Sequence, residues 1–270
     1  MGYQPERQKL LEVAVRAARS AANIIRAAAP QARDLDWHSK GPTDFVSAVD
    51  IGAEHLILAI VGRELPGATI LAEESAASTP PERLSSGLAL VIDPLDGTTN
   101  FLHGYPEYAV SIGVLVDGEP VAAVVYDVPG DELFTATAGG GAFLNGAPIH
   151  VSTITDPKRA LIGTGFPFKD PADIAPYQAQ MSRVMAEVSG VRRPGAASID
   201  LASVAAGRFD AFWENVLSPW DFAAGMLLVR EAGGVVTDLQ GAHLRAVAPG
   251  GVLAGNPAMH EWLGRVVRSG

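Results

Sequence analysis

The sequence predicts a mixed α/β fold, with an antiparallel sheet in the N-terminal half and a second, mixed sheet in the C-terminal half. Apolar residues recur with a period of two in three consecutive runs between residues 108 and 137, which is typical of an antiparallel meander. Beyond about residue 150, strand-like and helix-like segments alternate. This change of pattern predicts two domains, residues 1–150 and 151–270, without a flexible linker between them.

Two amphipathic helices are expected before the first sheet. Apolar stripes at helical spacing predict a long helix over residues 6–29, which Pro30 ends, and a second helix that ends near Leu65. The segment that joins them, through Pro42, is expected to be a polar loop. The strands of this half are expected at residues 69–71, 88–92, 108–116, 120–126 and 132–137. A tight turn is expected at residues 145–146.

The C-terminal half is expected to alternate strands with helices. Strands are predicted at residues 160–164 and 208–213, followed by two further strands late in the chain. Helices are predicted at residues 174–188, from Ser198 onward, at residues 219–232 and at the C-terminus.

Composition limits the kinds of function to consider. A formal net charge of −10, from 30 acidic and 20 basic residues, argues against nucleic-acid binding, because clustered Lys and Arg hold phosphate backbones. The absence of cysteine excludes disulfides, thiolate metal sites and thiol catalysis. The N-terminus lacks the apolar segment of a signal peptide, and no apolar run approaches bilayer-spanning length. We therefore expect a cytoplasmic protein with neither nucleic acid nor membrane as a partner.

The most informative segment follows the predicted strand at residues 88–92. Asp93 and Asp96 stand three residues apart across a turn and can converge on one point, which is costly unless a cation lies between them. Gly97 lets the backbone approach a ligand, and the amides of Gly97 and Thr98 would face an anion if a helix begins there. The alternative is a turn in which both aspartates cap backbone amides, and turn composition alone favours it.

The full string at residues 93–101, Asp-Pro-Leu-Asp-Gly-Thr-Thr-Asn-Phe, resembles the signature of the inositol monophosphatase family. Residues 220–225, Trp-Asp-Phe-Ala-Ala-Gly, resemble the second signature of that family. Two departures are Ala72, where the family usually has Gly, and Ala196, which replaces a hydroxyl residue. Further resemblances lie at residues 44–50, 73–75, 163–168, 192–198 and 231–234. The resemblance implies a layered αβαβα sandwich of the sugar-phosphatase type.

The family resemblance also implies a set of metal ligands. It makes Glu73, Asp93 and the Leu95 carbonyl the ligands of one ion. Asp93, Asp96 and Asp221 would hold a second ion, and a third, weaker one would rest on Glu73. Carboxylate and carbonyl oxygens suit Mg²⁺, and Mn²⁺ should substitute for it. Two or three ions are expected in each subunit.

The catalytic residues implied by the resemblance are Asp50, Thr98 and Glu73. Asp50 would hydrogen-bond Thr98, and the two together would position and deprotonate the attacking water. Asp50 and Asp221 each have a structural alternative, because each stands three residues after a serine at a predicted helix start, as in a capping box. The two roles need not exclude each other, since a helix N-terminus stabilises a carboxylate.

A small phosphorylated polyol, most of all inositol 1-phosphate, is the expected substrate. The resemblance places Glu214 against the leaving-group hydroxyls, and a carboxylate suits them because it only accepts hydrogen bonds. Histidinol phosphate, fructose 1,6-bisphosphate and 3′-phosphoadenosine 5′-phosphate are the alternatives. A bisphosphate would need basic residues, for which Arg192, Arg193 and Lys169 are candidates. The full substrate-binding set implied by the resemblance is Asp96, Gly97, Thr98, Gly195, Ala197 and Glu214.

Two other classes of function are weighed against this hypothesis. A phosphatase that forms a phosphoaspartate needs acids two residues apart, but Leu95, which stands two residues after Asp93, cannot transfer a proton. A regulatory binding protein that retains the fold is the non-enzyme alternative, and the complete set of acids argues against it. The resemblance further implies a homodimer.

Overall fold

The computed structural model describes residues 4–41, 44–75, 81–168 and 171–269. Pro42 of the predicted polar loop and Lys169 of the candidate basic residues lie outside these ranges. The described chain forms two main sheets and a two-stranded ribbon, with helices on both faces of each main sheet. This confirms the predicted mixed α/β fold.

The two N-terminal helices form as expected and pack on each other. Helix α1 covers Gln4–Ala28 and helix α2 covers Ala48–Glu64. Between them lies a β-hairpin, where the sequence had predicted a polar loop: β1 (Trp37–Gly41) pairs antiparallel with β2 (Asp44–Ser47). The hairpin was not predicted because so short a segment gives little periodic signal. The Trp37 ring packs edge-on against Phe45 across the hairpin, with the ring centroids 4.6 Å apart.

Seven strands form the first sheet, in the order β3-β4-β5-β6-β7-β8-β9. Strands β3 and β4 are parallel, and every later pair is antiparallel, so the predicted meander is confirmed. Asn145 and Gly146 both have positive φ, 49° and 81°, as a tight hairpin turn requires. The strands are β3 (Thr69–Ala72), β4 (Leu88–Asp96), β5 (Ala109–Val116), β6 (Glu119–Asp127), β7 (Glu132–Thr137), β8 (Gly141–Leu144) and β9 (Ala147–Ile149).

Strand β4 does not end at residue 92, as the sequence had predicted, but continues to Asp96. Asp93 pairs with Ser111 and Asp96 pairs with Ala109, so β4 has one residue more than β5 between these two pairs. Such a bulge accommodates Pro94, which cannot donate a ladder hydrogen bond. The two aspartates therefore stand on a paired strand at the sheet's end, and the turn begins only at Gly97.

The second sheet has five strands in the order β11-β10-β12-β14-β13. It is mixed, as predicted: β10 lies parallel to β11 and β12, while β14 lies antiparallel to β12 and β13. Its strands are β10 (Leu161–Thr164), β11 (Gly190–Arg192), β12 (Ala211–Leu217), β13 (Val235–Thr237) and β14 (Gly250–Gly255).

The remaining helices lie close to their predicted positions. Strand β12 was predicted at residues 208–213 but begins at residue 211. The amides of Arg208 and Phe209 both donate to the Ser203 carbonyl, so residues 208–210 turn the chain after the preceding helix. The helices are α3 (Pro81–Leu84), α4 (Thr98–Leu102), α5 (Ile174–Met185), α6 (Ala197–Ala205), α7 (Pro219–Glu231) and α8 (Pro257–Arg268).

Three apolar clusters define five layers. One cluster packs α1 and α2 against the first sheet, where Ala122 and Val124 of β6 face them. Ala123 of the same strand faces the other way, onto α6 and α7, as the period of two requires. Helices α6 and α7 also contact the second sheet, through Phe212. A third cluster covers the far face of that sheet with α5 and α8, around Trp213. The order α-β-α-β-α agrees with the expected sandwich.

The middle helical layer joins both halves of the chain. The change of sheet falls between β9 and β10, close to the predicted boundary at residue 150. The central apolar cluster nevertheless includes residues of both sheets, and the division into domains 1–150 and 151–270 stays a prediction. Among the helices that the structure describes, none combines the length and the apolar character that crossing a membrane requires.

Candidate active site

The site is built around the bulged end of β4. Asp93 is buried, and its Oδ1 accepts a hydrogen bond from the Leu95 amide at 3.0 Å. Gly97 then adopts φ 90°, and a β-carbon there would lie 2.7 Å from the Glu107 carbonyl. Helix α4 begins at Thr98, which meets the condition set for an anion-facing turn in the sequence. Only glycine can therefore make the turn from strand to helix at this point.

The start of helix α6 fixes the orientation of Asp96. Its Oδ2 accepts hydrogen bonds from the Ser198 amide at 2.8 Å and from the Ser198 hydroxyl at 2.6 Å. Ser198 is fully buried. These bonds connect the first sheet to the middle helical layer at the site itself.

Asp50 both caps helix α2 and accepts a hydrogen bond from Thr98. Its Oδ2 accepts from the Ser47 amide at 2.9 Å and from the Ser47 hydroxyl at 2.6 Å, which completes a capping box at the start of α2. Its Oδ1 accepts the Thr98 hydroxyl at 2.7 Å, the hydrogen bond that the sequence analysis expected. The Thr98 hydroxyl also lies 3.0 Å from the Leu95 carbonyl oxygen.

The other two candidate ligands come from different elements. Glu73 follows β3, and its amide donates to the Ile92 carbonyl of the neighbouring strand. Asp221 lies in the first turn of α7, where its Oδ2 accepts the Ser218 amide at 2.7 Å. Capping by Asp221 is thus confirmed, and the carboxyl group also faces the site. The amide of the next residue, Glu74, donates to the Glu54 carboxylate at 2.9 Å.

One cavity of about 400 Å³ is lined by Glu73, Asp93, Asp96 and Asp221 together with Thr98. We call it the carboxylate cavity. Burial, followed by the negative charges of Glu73 and Asp96, raises the pKa of Asp93 well above its ordinary value. Burial also raises the pKa of Asp96 to about 6, although the hydrogen bonds from Ser198 oppose this shift. Ionising all of these carboxylates together is therefore costly unless positive charge is supplied. The lining residues are Phe45, Glu73, Asp93, Leu95, Asp96, Gly97, Thr98, Thr99, Asn100, Phe168, Arg193, Gly195 and Asp221.

The oxygens of this cavity suit a hard divalent cation. Within the residues that the structure describes, no three acidic or histidine side chains already converge closely enough to hold one ion. The fit rests instead on the donor set, since four carboxylates line a single cavity without histidine or cysteine, as Mg²⁺ prefers. Asp93, Asp96 and Asp221 are each oriented through one oxygen by a backbone amide, as the carboxylate ligands of metal sites commonly are.

A second cavity of about 460 Å³ adjoins the first, and we call it the adjoining cavity. Asp96, Asp221, Phe168, Arg193 and Gly195 line both cavities, so the two form one continuous cleft. The other residues that line the adjoining cavity are Gly165, Phe166, Pro167, Asp173, Ala196, Ala197, Asp200, Glu214, Val216 and Leu217.

Glu214 of β12 reaches the adjoining cavity because the chain beside it lacks a side chain. A β-carbon at Gly165 would overlap the Glu214 carboxyl group. Gly195, at the opposite wall, has φ 103°, a conformation that other residues rarely adopt. The cleft thus contains both Gly195 and Glu214, which the resemblance implied as substrate contacts.

Arg193 is the cationic side chain that lines both cavities. Its guanidinium lies 5.3 Å from the ring centroid of Phe166 and 5.2 Å from that of Phe168, within cation–π distance. Arg192 instead donates to the carbonyl of Val191 and does not line the cleft. Of the two candidate basic residues that the structure describes, Arg193 lines the cleft and Arg192 does not.

The structure brings most of the predicted site residues into the cleft, with one exception. Asp50 is buried behind Thr98 and lines neither cavity. Sequence reasoning missed Ser198, which orients Asp96, and Asp200, an acid on α6. Asp200 is the one charged residue of helix α6, and this signal could have identified it. The predicted residues that line the cleft are Glu73, Asp93, Leu95, Asp96, Gly97, Thr98, Gly195, Ala197, Glu214 and Asp221.

Comparison with known proteins agrees with this fold and cleft. The model of the inositol monophosphatase family matches residues 6–270. The Nus factor SuhB of Escherichia coli strain K12 is 46% identical over 248 residues, which cover 92% of this chain and 91% of that protein. An inositol-1-monophosphatase of Mesorhizobium japonicum is 43% identical over 262 residues, which cover 97% of each.

A solved structure agrees equally well. The inositol monophosphatase of Anabaena superposes with a TM-score of 0.84 at 38% identity, covering 96% of this chain and 95% of that one. The fold, the acidic cleft and these matches together define a phosphatase. The chain belongs to the inositol monophosphatase family.

Proposed function

We propose that the protein hydrolyses the phosphate monoester of a small polyol, with inositol 1-phosphate as its best substrate, and that it requires Mg²⁺. The observation that carries this proposal is the continuity of the two cavities. The carboxylate cavity, whose acids suit a divalent cation, opens into the adjoining cavity, which contains Glu214. The 43% identical inositol-1-monophosphatase of Mesorhizobium japonicum supports the choice of substrate.

Glu73, Asp93, Asp96, Asp221 and the Leu95 carbonyl are the groups that would hold the magnesium ions. The chemistry that bound magnesium supplies is neutralisation of phosphoryl charge and Lewis acidity toward the attacking and departing oxygens. Phosphoryl transfer otherwise asks the protein mainly to position the reactants.

Thr98 and Asp50 are arranged to position and deprotonate a water molecule. The single hydroxyl hydrogen of Thr98 can be donated to Asp50 at 2.7 Å, which leaves oxygen lone pairs of Thr98 as acceptors. A water in the carboxylate cavity then donates a hydrogen bond to the Thr98 hydroxyl. As the water oxygen bonds to phosphorus and the bond from phosphorus to the ester oxygen breaks, a water proton passes to the Thr98 oxygen and the original Thr98 proton passes to Asp50. The departing alkoxide takes a proton from solvent water and leaves as the free alcohol. Asp50 thus acts through Thr98, in agreement with its burial behind that residue.

Glu214 provides the polyol contact in the adjoining cavity. A carboxylate accepts hydrogen bonds from two neighbouring hydroxyls and repels a second phosphate. We therefore place the ring hydroxyls beside Glu214 and the phosphate in the carboxylate cavity. Backbone groups at Gly97, Thr98, Gly195 and Ala197 are the remaining proposed substrate contacts. A homodimer, implied by the family resemblance, stays a prediction.

The test is a comparison of kcat/KM for four phosphate esters: inositol 1-phosphate, histidinol phosphate, fructose 1,6-bisphosphate and 3′-phosphoadenosine 5′-phosphate. Each is assayed with Mg²⁺, with a chelator, and with added Li⁺. We expect inositol 1-phosphate to be the best substrate, the chelator to abolish turnover and Li⁺ to inhibit it. A preference for histidinol phosphate would overturn the substrate and retain the mechanism.

The variant Asp93→Asn tests the metal site within the same assay. We expect a loss of at least about 10²-fold in kcat, because removal of a ligand carboxylate disturbs metal binding and charge neutralisation together. The matched control is Asp117→Asn, since Asp117 accepts the Gly87 amide at the opposite end of the same strand pair. Full activity of Asp93→Asn, or a phosphoaspartate trapped on Asp93 in the wild-type protein, would contradict the mechanism.

A role of the Nus factor kind is a second candidate function, because the 46% identical relative from Escherichia coli bears that name. The two functions predict different outcomes in cells that lack the gene. If Asp93→Asn restores the cellular function as well as the wild-type chain does, that function is independent of phosphatase activity. If only the wild-type chain restores it, hydrolysis is the function that the cell requires.

A further inference from the structure

A buried acid in the adjoining cavity has one carboxyl oxygen without a hydrogen-bond partner among the described residues. Asp200 of helix α6 is only 1% exposed and lines the cavity that also contains Glu214. Its Oδ1 is fully buried and makes no hydrogen bond to any described residue. Buried carboxyl oxygens are almost always hydrogen-bonded, so an unpartnered oxygen on a side chain that lines a cleft is consistent with a group that a ligand completes.

A structural role does not account for this side chain. Asp200 stands in the first turn of α6, where an aspartate commonly accepts a helix amide. Here it accepts none, and the Ser198 amide of that turn is bonded to Asp96 instead. The neighbouring residues of the helix are all buried and mostly apolar, so an apolar side chain would pack well at this position.

The surroundings of Asp200 favour a neutral ligand group. Burial first, and then the charges of Glu214 and Asp96, raise the pKa of Asp200 well above its ordinary value. A protonated carboxyl group both donates and accepts a hydrogen bond, whereas an ionised one only accepts. A hydroxyl group, which also does both, is therefore the chemical match for Asp200, and an anionic group is a mismatch beside Glu214 and Asp96.

We propose that Asp200 is a specificity-determining residue that hydrogen-bonds a hydroxyl group of the leaving alcohol, next to the hydroxyls held by Glu214. This inference rests on the proposed function, since it concerns the alcohol part of the same substrate. It assigns selection for polyols to two carboxyl groups from different elements, α6 and β12. The protein should therefore hydrolyse a phosphomonoester poorly if its leaving group has no hydroxyl, because such a group would leave the buried Asp200 oxygen without a partner.

The experiment compares two substrates in the Mg²⁺-loaded protein: inositol 1-phosphate and p-nitrophenyl phosphate, whose leaving group offers no aliphatic hydroxyl. The readout is the ratio of their kcat/KM values. We expect Asp200→Leu to lower this ratio by about tenfold, as the loss of one specific hydrogen bond at a buried site does. The matched control is Asp210→Asn, because Asp210 is similarly buried but already bonded to Ser152 and Leu161. This control should keep the wild-type ratio.

Deoxy analogues of inositol 1-phosphate, each lacking one hydroxyl, locate the contact. The wild-type protein should discriminate against one analogue that Asp200→Leu no longer discriminates against. A merely structural Asp200 would lower turnover of all analogues in parallel, and that result would overturn the proposal. Because the lost oxygen is unpartnered, we also expect the Tm of Asp200→Leu to equal or exceed that of the wild type. If Asp200→Leu fails to fold, Asp200→Asn replaces it in the analogue series.

The outcomes separate this inference from the proposed function. If the wild-type protein hydrolyses no phosphomonoester, the proposed function fails. If it hydrolyses inositol 1-phosphate and the Asp200 variants keep the wild-type ratio and analogue profile, only the role of Asp200 is refuted.

Discussion

The hydrogen bond between Ser198 and Asp96 leads to a quantitative prediction about magnesium affinity. In Ser198→Ala, Asp96 loses the 2.6 Å bond from the hydroxyl but keeps the 2.8 Å bond from the backbone amide. A hydrogen bond to a charged group contributes about 1.5–3 kcal/mol. Loss of a group that orients a metal ligand lowers metal affinity by about 10–100-fold, which corresponds to about 1.4–2.7 kcal/mol. Since the amide still holds the same oxygen, we expect the lower end, about tenfold.

The measurement is a Mg²⁺ titration of inositol 1-phosphate hydrolysis for the wild type and Ser198→Ala. We expect the half-saturating Mg²⁺ concentration to rise about tenfold, while kcat at saturating Mg²⁺ stays within about threefold of the wild type. Ser203→Ala is the matched control, because Ser203 is a buried serine of the same helix and does not contact Asp96. An unchanged Mg²⁺ requirement in Ser198→Ala would refute the argument that this bond prepares Asp96 for a cation.

Two further predictions concern substrate binding and stability. Gly165→Ala should raise the KM for inositol 1-phosphate about tenfold or more, because the added methyl group displaces Glu214. Gly52→Ala is the control and should leave KM unchanged, since the space around its β-carbon is open. Equal KM values for the two variants would contradict this role of Gly165. Arg208 holds Glu132 through two hydrogen bonds of 2.5 and 2.6 Å and lowers the pKa of Glu132 below its ordinary value. A group whose pKa is lowered by folding stabilises the fold at pH values above its unfolded-state pKa, and this stabilisation is lost as pH falls through the folded-state pKa. Glu132→Gln should therefore lower the free energy of unfolding by about 0.5–1 kcal/mol at pH 7 and leave it unchanged near pH 3. Urea unfolding that shows the same difference between variant and wild type at both pH values would disprove the assignment.

Local sequence was sufficient for most elements of the fold. The meander between β5 and β7 was predicted nearly to the residue, because the period of two and the turn residues are both local properties. The hairpin of β1 and β2 was missed, since four- and five-residue strands have too few positions for a period to emerge. Strand β4 was predicted too short, because Pro94 suggests a turn unless the bulge opposite β5 is known.

For the site, too, local sequence was sufficient for some features and not for others. The string at residues 93–101 indicated which residues carry the chemistry, but its bottom-up interpretation could not decide between capping and catalysis. The structure shows capping by Asp50 and Asp221 and leaves the second oxygen of Asp50 bonded to Thr98, while the catalytic and metal roles stay proposals. One oxygen of each accepts a capping amide, while Asp50 also accepts Thr98 and Asp221 also lines the cleft.

The sequence by itself determined the alternation of elements and the residues of the carboxylate cavity, because strand periodicity, turn residues and the short signature are encoded locally. Only the tertiary structure decided that Ser198 orients Asp96, that Gly165 makes room for Glu214, and that Asp200 faces a cavity without a partner. These relations join residues from different layers, and sequence spacing does not reveal which side chains the packing of α6 and β12 brings together. The proposed metal and phosphate residues were therefore predictable from short local strings and their resemblance to one family, whereas the proposed selection of the alcohol depends on contacts that exist only after folding.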